Sequence, residues 1–418
     1  MFLRKLYILL LAATYLFAAP ITIDDAQSVA LELLNRRQIE NKSGFSIRDY
    51  STRERDENVL FYVFNFDPTG FVIVSADNRS KPILAYSFKN QYSNNNIPDH
   101  YNFWLGYYEE QIDYLIVEDI DQTEERFNEW REYLNPNPNQ VYTREVVVEP
   151  LIKANWDQSN PYNGMCPGNP PTLVGCVAIS MSQVMHYWKY PDHAVGNEAY
   201  TDPSGESPSF GYIQSNYGTS YDWDNMPNSG ATEDTQRLLS EAGIAVHMDY
   251  DYDGSGSYIE VGANCARIAL RQNFQYESTA GSYPSYRERN SYSETSWKNL
   301  LKNELNSGKP MIHDGCSTSG CHAWNIDGYD DQDYMHMNFG WGGSYNGYYS
   351  VDDISAGGDT YNQGLGVIED INPADLSVPN LELSNINYLE SGGSGDNDNV
   401  INPGEFGNLY ITLENMMP

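Results

Sequence analysis

The segment TLVGCVAISMSQVMHYWKYP, residues 172–191, places a cysteine directly after a glycine and at the start of a helical pattern. Apolar residues recur after Cys176 with the spacing of one helix face, and Pro191 marks the end of the pattern. We therefore predict a helix whose first turn contains Cys176. Cys176 then has two interpretations. It is a small buried residue, or it is a nucleophilic thiolate, because backbone N–H groups and the helix dipole favour an anion at a helix N-terminus.

A second segment, GCHAWNIDGYDDQDYMHMNFGWGG at residues 320–343, predicts two short aromatic strands around a polar turn. His322 opens the first strand, and Asn338 lies sixteen residues later on the return strand. A hairpin would bring the two side by side, so that the Asn338 amide could orient the imidazole. The 146 residues between Cys176 and His322 fit the spacing of a papain-like Cys-His-Asn site. Upstream, Gln158 offers a side-chain N–H for an oxyanion hole.

Composition indicates a globular protein, and the N-terminal sequence indicates that it is exported. The chain has 418 residues, 40% of them hydrophobic, and a formal net charge of −34. That charge argues against nucleic-acid partners and against docking on anionic membranes. At the N-terminus, Arg4 and Lys5 precede the apolar run LYILLLAATYLF and then Ala18 and Ala19. This order is typical of a signal peptide over residues 1–19, and it predicts a secreted or cell-surface protein without membrane insertion.

The five cysteines and the acidic motifs bear on metals. An odd cysteine count in an exported protein leaves at least one thiol unpaired, and Cys316 could pair with Cys321. Zinc is not expected, since paired CxxC units and HExxH are absent. DYDYDGSGSYIE at residues 249–260 fits an EF-hand spacing, and GDNDNVINPGE at 395–405 resembles calcium-stabilised β modules. No cofactor is required; structural calcium at either segment stands as an alternative to a solvated acidic loop.

The sequence divides into five regions. After the signal peptide, residues 20–118 predict an α+β unit, and residues 119–148 predict an exposed acidic connector where maturation cleavage would occur. Residues 149–372 form the largest unit, with helical runs followed by aromatic, glycine-rich strands. In residues 373–418, apolar and polar residues alternate, which predicts the start of a β-sandwich module.

Several motifs together resemble the streptopain family of bacterial papain-like cysteine peptidases. In chain order they are WDQSNPYN, GCVAISMSQVMHYWKYP, AGIAVHMDY, CHAWNIDGY and NFGWGG, and the earlier stretch YVFNF…GFVIVSADNRSKPILAYS resembles the family's inhibitory prodomain. The resemblance implies an α+β fold class: a papain-like cysteine peptidase fold preceded by an α+β prodomain, with the start of a C-terminal β-sandwich. It also implies a secreted cysteine endopeptidase, made as a zymogen, that cuts protein or peptide substrates and is inhibited by its own prodomain.

The same resemblance implies roles for individual residues. Cys176 matches the nucleophile and His322 the general base, while Gln158 matches the oxyanion-hole glutamine and Asn338 the residue that orients the histidine. The implied substrate-contacting residues are Ser257, Cys321 and Trp341. The family often has glycine at the position of Cys321 and usually tryptophan at that of Phe339. It also implies a preference for an apolar residue at the second position before the cut.

Two other functions compete with this interpretation. A transglutaminase-like acyl transferase also uses cysteine and histidine, usually with an aspartate, and Asp327 could serve. A catalytically silent, calcium-binding surface module would need neither a nucleophilic cysteine nor a catalytic histidine. The combination of Cys176, His322, Asn338 and Gln158 favours the peptidase.

Overall fold

The computed structural model describes most of the chain. The described residues are 18–37, 45–95, 97–140, 146–203, 209–277, 283–317, 320–352, 364–373, 381–393 and 405–415. The predicted signal peptide at 1–19 lies outside them except for its last two residues. Within this described part, no helix combines the length and the apolar character needed to cross a membrane.

Seven helices occur in the described residues. They are α1 (Ile23–Arg36), α2 (Asp99–Val117), α3 (Glu124–Leu134), α4 (Cys176–Trp188), α5 (Glu233–Ala245), α6 (Ala266–Gln272) and α7 (Glu294–Asn306). The helix predicted from the 172–191 pattern is confirmed, because α4 starts at Cys176 itself.

The strands number fifteen in the same residues. They are β1 (Ser46–Arg55), β2 (Asn58–Asp67), β3 (Phe71–Ser75), β4 (Ile83–Ser87), β5 (Val146–Val148), β6 (Ala199–Thr201), β7 (Tyr212–Gln214), β8 (Ser285–Glu288), β9 (Met311–Ser317), β10 (Gly320–Asp330), β11 (Tyr334–Asn338), β12 (Gly347–Ser350), β13 (Leu365–Glu369), β14 (Leu381–Gly393) and β15 (Glu405–Asn415).

One large antiparallel sheet runs through both the N-terminal unit and the main unit. Its order is β1-β2-β3-β4-β12-β11-β10-β9-β13-β8, with β5 also paired to β10. The two units meet where β4 pairs with β12, and Tyr86 lies opposite Tyr348 in that register. The N-terminal unit therefore extends the sheet of the main unit through backbone hydrogen bonds.

Helices α2 and α4 cover opposite faces of β10. Trp324 packs in the core cluster that contains α2 residues, whereas the preceding Ala323 packs in the cluster built around α4. Successive side chains of a strand point to opposite faces, so this alternation fixes the sides of residues 322–326, before the bulge that follows Ile326. A helix of the N-terminal unit thus lies on the main unit's sheet, directly across from the helix that begins at Cys176.

The prediction of an exposed connector over 119–148 is partly wrong. Residues 124–134 form α3, which packs on α1 of the N-terminal unit. Trp130 Nε1 donates to the Ser80 carbonyl at 2.9 Å, and the Arg36 guanidinium lies 3.9 Å from the Tyr133 ring centroid. These two aromatic residues give an otherwise acidic segment one face that can be buried. The longest exposed run that the structure describes in this region is residues 135–140.

The C-terminal residues contribute a separate two-stranded antiparallel ladder of β14 and β15, in which Ile386 lies opposite Ile411. The alternating pattern predicted strands here, and two strands are present. The β-sandwich stays a prediction, and Asp396 and Asp398 lie outside the described residues.

Candidate active site

Cys176 is the first residue of α4, and the chain reaches it through a glycine with a positive φ. Gly175 has φ of 93°, a conformation that side-chain-bearing residues rarely adopt, and a Cβ there would also collide with Met248. Gly175 makes no side-chain cap, so the first backbone N–H groups of α4 are available to the Cys176 thiol. The local sequence thus aims a helix N-terminus at the Cys176 thiol.

The thiol nevertheless favours its protonated form in this structure. Burial raises the pKa of Cys176, while N–H groups of Ala323, Val177 and Cys176 itself oppose that rise, and the Asp314 carboxylate adds to it. The sequence predicted a thiolate supported by a nearby imidazolium. The structure differs from this prediction because the imidazole of His322 does not lie beside the Cys176 thiol.

The imidazole of His322 lies on the α2 side of the sheet. His322 shares its strand face with Trp324, and its ring centroid is 6.0 Å from that of Phe103 on α2. Phe103 also lies 6.4 Å from Trp324, and it occupies space over Gly315, the residue opposite His322 on β9. The α4 face of β10 instead carries Ala323 and Asn325. His322 and Cys176 are therefore neighbours in the fold, but their side chains lie on different sides of β10.

Gln158 is buried beside the start of α4. Its backbone carbonyl accepts from Val174 N at 3.0 Å, which ties its segment to the residues leading into Cys176. Two residues earlier, the Trp156 carbonyl accepts from Gly342 N at 3.0 Å. These two bonds hold Gln158 between the α4 N-terminus and the glycine-rich turn after β11. The oxyanion role of its side chain stays a prediction.

Asn338 does not lie beside His322, contrary to the hairpin argument. The hairpin exists, but its register places Asn338 opposite Asn325, three residues along β10 from His322. A β-bulge between Ile326 and Gly328 helps to set that register. The Asn338 side chain donates to the Ala154 carbonyl at 3.0 Å and accepts from Gly340 N at 3.1 Å.

A buried polar network that the sequence did not reveal lies under this region. Asn325 Nδ2 donates to Gln183 Oε1 at 2.9 Å, and Gln183 Nε2 donates to the Ala154 carbonyl at 3.0 Å. Gln183 is on α4, so the network joins the cysteine helix to β10 and, through Asn338, to β11. Its signal in the sequence was polar residues inside apolar runs, since Gln183 interrupts the apolar pattern of α4.

Asp327, the aspartate that an acyl transferase would use, contacts residues other than His322. One carboxylate oxygen lies 2.6 Å from His336 Nδ1, and the other accepts from Ile152 N at 2.9 Å. Both oxygens are therefore occupied by structural partners, and neither orients His322.

A cavity of about 660 Å³ opens beside His322. Two of the predicted substrate-contacting residues, Ser257 and Cys321, line it, and the Ser257 hydroxyl donates to the Val246 carbonyl at 2.6 Å. Cys321 is disulfide-bonded, and the β9–β10 register places it opposite Cys316. Trp341, the third predicted residue, is half-buried against the α2-side core and does not line the cavity.

Comparison with known families agrees with this arrangement. Residues 156–349 match the peptidase C10 family, and residues 18–112 match the Spi protease inhibitor family. The first match contains Gln158, Cys176, His322 and Asn338. The main unit is thus similar to the peptidase C10 family, and the N-terminal unit is similar to the Spi inhibitor that serves as a prodomain. The recognition made from the motifs is confirmed.

Curated relatives carry matching names. The thiol protease/hemagglutinin PrtT of Porphyromonas gingivalis is 29% identical over 90% of this chain, and the chain spans 44% of the length of PrtT. Streptopain of Streptococcus pyogenes is 28% identical over 70% of this chain and 74% of its own length. A solved structure of a Prevotella intermedia prointerpain A fragment aligns with a TM-score of 0.60 at 25% identity. That alignment covers 77% of this chain and 99% of the fragment. The predicted pairing of a peptidase fold with an α+β prodomain is thereby confirmed.

The acidic loop at 249–260 forms a tight turn. Asp249 and Gly256 exchange backbone hydrogen bonds of 2.9 Å, and Asp251 Oδ1 accepts from Asp253 N at 2.9 Å. Among the described residues, no group of three or more His, Cys, Asp or Glu side chains is arranged to hold a metal ion. Structural calcium at the 249–260 loop stays a prediction.

Proposed function

We propose that this chain is the latent precursor of a secreted cysteine endopeptidase. Cys176 is the nucleophile, His322 the general acid and base, and Gln158 a donor to the oxyanion. The observation that carries the proposal is the position of Cys176 at an uncapped helix N-terminus, next to the strand that bears His322. Export rests on the signal-peptide pattern of residues 1–19.

The chemistry follows from these groups once His322 reaches the α4 side of β10. An imidazolium beside Cys176 would lower the pKa of the thiol and hold it as thiolate. The thiolate attacks the scissile carbonyl, and the Cys176 N–H and Gln158 side chain stabilise the developing oxyanion. His322 then protonates the leaving amine, and water activated by His322 hydrolyses the acyl-enzyme and restores the thiol.

Latency follows from the contacts of the prodomain. Helix α2 places the Phe103 ring beside His322 and packs Trp104 5.6 Å from Trp324. The prodomain sheet pairs with β12, and Arg37 forms 2.6 Å ion pairs with Asp330 and Asp331 of the peptidase. Because prodomain and peptidase share one chain, the effective concentration of the inhibitor is high until a cut between them.

The test compares the full-length precursor with its processed form on a fluorogenic peptide, with Cys176→Ala as the inactive reference. Processing should raise activity strongly, and Cys176→Ala should abolish it while the chain still folds. Gln158→Ala should lower kcat by roughly ten- to a thousandfold. Full activity of Cys176→Ala, or of the uncut precursor, would contradict the proposal.

A further inference from the structure

The cavity beside His322 carries three carboxyl groups. Glu260 and Glu288 stand at its wall, and Asp314 projects from β9. Asp314 lies opposite Ala323, the residue after His322, and its charge influences the Cys176 thiol. The acidic groups are therefore close to the reacting centre and not on a remote surface.

Asp314 is buried without a cationic partner. It is 7% exposed, and its Oδ1 accepts from the Tyr286 hydroxyl at 3.0 Å. Two other buried carboxylates that join the units do have such partners: Asp330 pairs with Arg37, and Asp352 pairs with Lys81. No lysine, arginine or histidine of the described segments forms an ion pair with Asp314. A buried carboxyl that lacks a counter-ion is costly to ionise, so a cationic ligand in the cavity would favour its charged form.

The basic residues near the cavity are already engaged. The Arg287 guanidinium pairs with Glu369 on β13, and Arg267 pairs with Glu260 at 2.5 Å. Neither pairs with Asp314, so these two arginines would not compete with a cationic ligand for its carboxyl group.

The rest of the wall suits the stem of a long side chain. Val177, Ile259 and Ala323 are buried apolar residues that line the cavity. Lysine and arginine combine an aliphatic stem with a charged end, so the stem would contact these residues while the charge meets Asp314.

We propose that this cavity is a substrate subsite that takes a lysine or arginine side chain, with Asp314 as its counter-ion. The inference rests on the proposed peptidase function and names the substrate class of that same site. It departs from the apolar preference that the family resemblance implies. An apolar side chain would fit the walls but would cover Asp314 and leave it unpaired, which is the origin of the discrimination.

The experiment uses processed enzyme obtained from the full chain. Fluorogenic peptide libraries vary each of the three positions before the cut, with arginine, lysine, leucine and glutamate compared at each. The wild type should favour arginine and lysine over leucine at one position. Asp314→Asn, which keeps size and loses charge, should lower the arginine-to-leucine ratio of kcat/KM by about tenfold or more. Glu288→Gln, at the exposed rim, should change that ratio less than about threefold.

The outcomes separate the two proposals. Absence of a basic preference at every position in the wild type would overturn the subsite without need of any variant. An arginine-to-leucine ratio equal in wild type and folded Asp314→Asn would overturn the role of Asp314. Either result leaves the peptidase intact, because leucine peptides would still be cleaved. Failure of the processed enzyme to cleave any library, with Cys176 unreactive, would instead overturn the proposed function.

Discussion

The Phe103 ring on prodomain helix α2 lies 6.0 Å from the imidazole of His322, over the side-chain-free Gly315 of β9. This contact joins the inhibitor to the predicted general base of the enzyme. The contact lies on the face of β10 that is opposite to α4. His322 must therefore leave the Phe103 side of the strand before its imidazole can reach Cys176.

Phe103→Ala should raise the peptidase activity of the uncut precursor. Loss of the ring removes packing against His322 and Trp324 and frees the imidazole to move. We expect the uncut precursor to gain about tenfold in initial rate on a small peptide. Val117→Ala, at an exposed position of the same helix, is the matched control and should leave the rate unchanged. Equal rates for the two variants would show that Phe103 does not restrain the site.

A second restraint is the buried ion pair between Lys81 of the prodomain and Asp352 of the peptidase, 2.9 Å long. Burial alone would raise the pKa of Asp352, but Lys81 and Lys298 outweigh it and hold that pKa well below its usual range. For a carboxyl with a depressed pKa, the stabilisation is present above the unfolded-state pKa and is lost only as pH falls through the lower folded-state value. The pair should therefore hold the prodomain at any pH from about 5 upward.

Lys81→Met should loosen the prodomain. Asp352 would keep Lys298 but lose its link across the interface. The alkylation rate of Cys176 in the uncut chain should rise on the order of tenfold, read by mass spectrometry. Lys89→Met removes an exposed lysine of the same unit and serves as the control. A rate equal to that of wild type at pH 7 would mean that the pair does not contribute to latency.

Processing should change the reactivity of Cys176 more than that of the other free thiols. In the precursor, burial raises the pKa of Cys176 and also those of Cys265 and Cys166, the last to about 12. After processing, His322 can approach Cys176 and favour its thiolate. Iodoacetamide at mildly acidic pH should then label Cys176 at least about tenfold faster than in the precursor, with Cys166 and Cys265 as internal references. Faster labelling of either reference in processed enzyme would contradict the assignment of the nucleophile.

Periodicity and spacing predicted the elements that hold the site but not how they face one another. The 172–191 pattern was sufficient for α4, since a helix with its first residue at Cys176 depends on local sequence. Asn338 was misplaced because the β10–β11 register depends on a bulge and on the turn, neither of which alternation encodes. Asp314 was missed because its cavity is assembled from β8, β9, β10 and the loop at 257–261, which are distant in sequence.

Asn338→Ala tests the two roles that sequence and structure assign to this residue. The sequence predicts that it orients His322, which would lower kcat more than it raises KM. The structure shows its amide bonded to Ala154 and Gly340, so its removal leaves the buried Gly340 N–H without its acceptor, at a cost of about 1–3 kcal/mol in unfolding free energy. We expect a lower midpoint of thermal unfolding in the precursor. A kcat loss in processed enzyme without destabilisation of the precursor would favour the orienting role instead.

The preference for a basic substrate side chain should depend on pH through Asp314. Burial raises the pKa of its carboxyl to about 7, with Glu260 adding to the rise and the Tyr286 hydroxyl opposing it. Cys176 of α4 and His322 of β10 also titrate nearby, but they affect arginine and leucine peptides alike and cancel in a ratio. A raised carboxyl pKa means that the charge is absent below it and present above it. The arginine-to-leucine ratio of kcat/KM should therefore rise with pH, with a midpoint near 7, since kcat/KM reports groups of the free enzyme. In Asp314→Asn the ratio should be low and flat across the same pH range. A wild-type ratio that is flat, or that falls as pH rises, would show that the Asp314 carboxylate does not select the substrate.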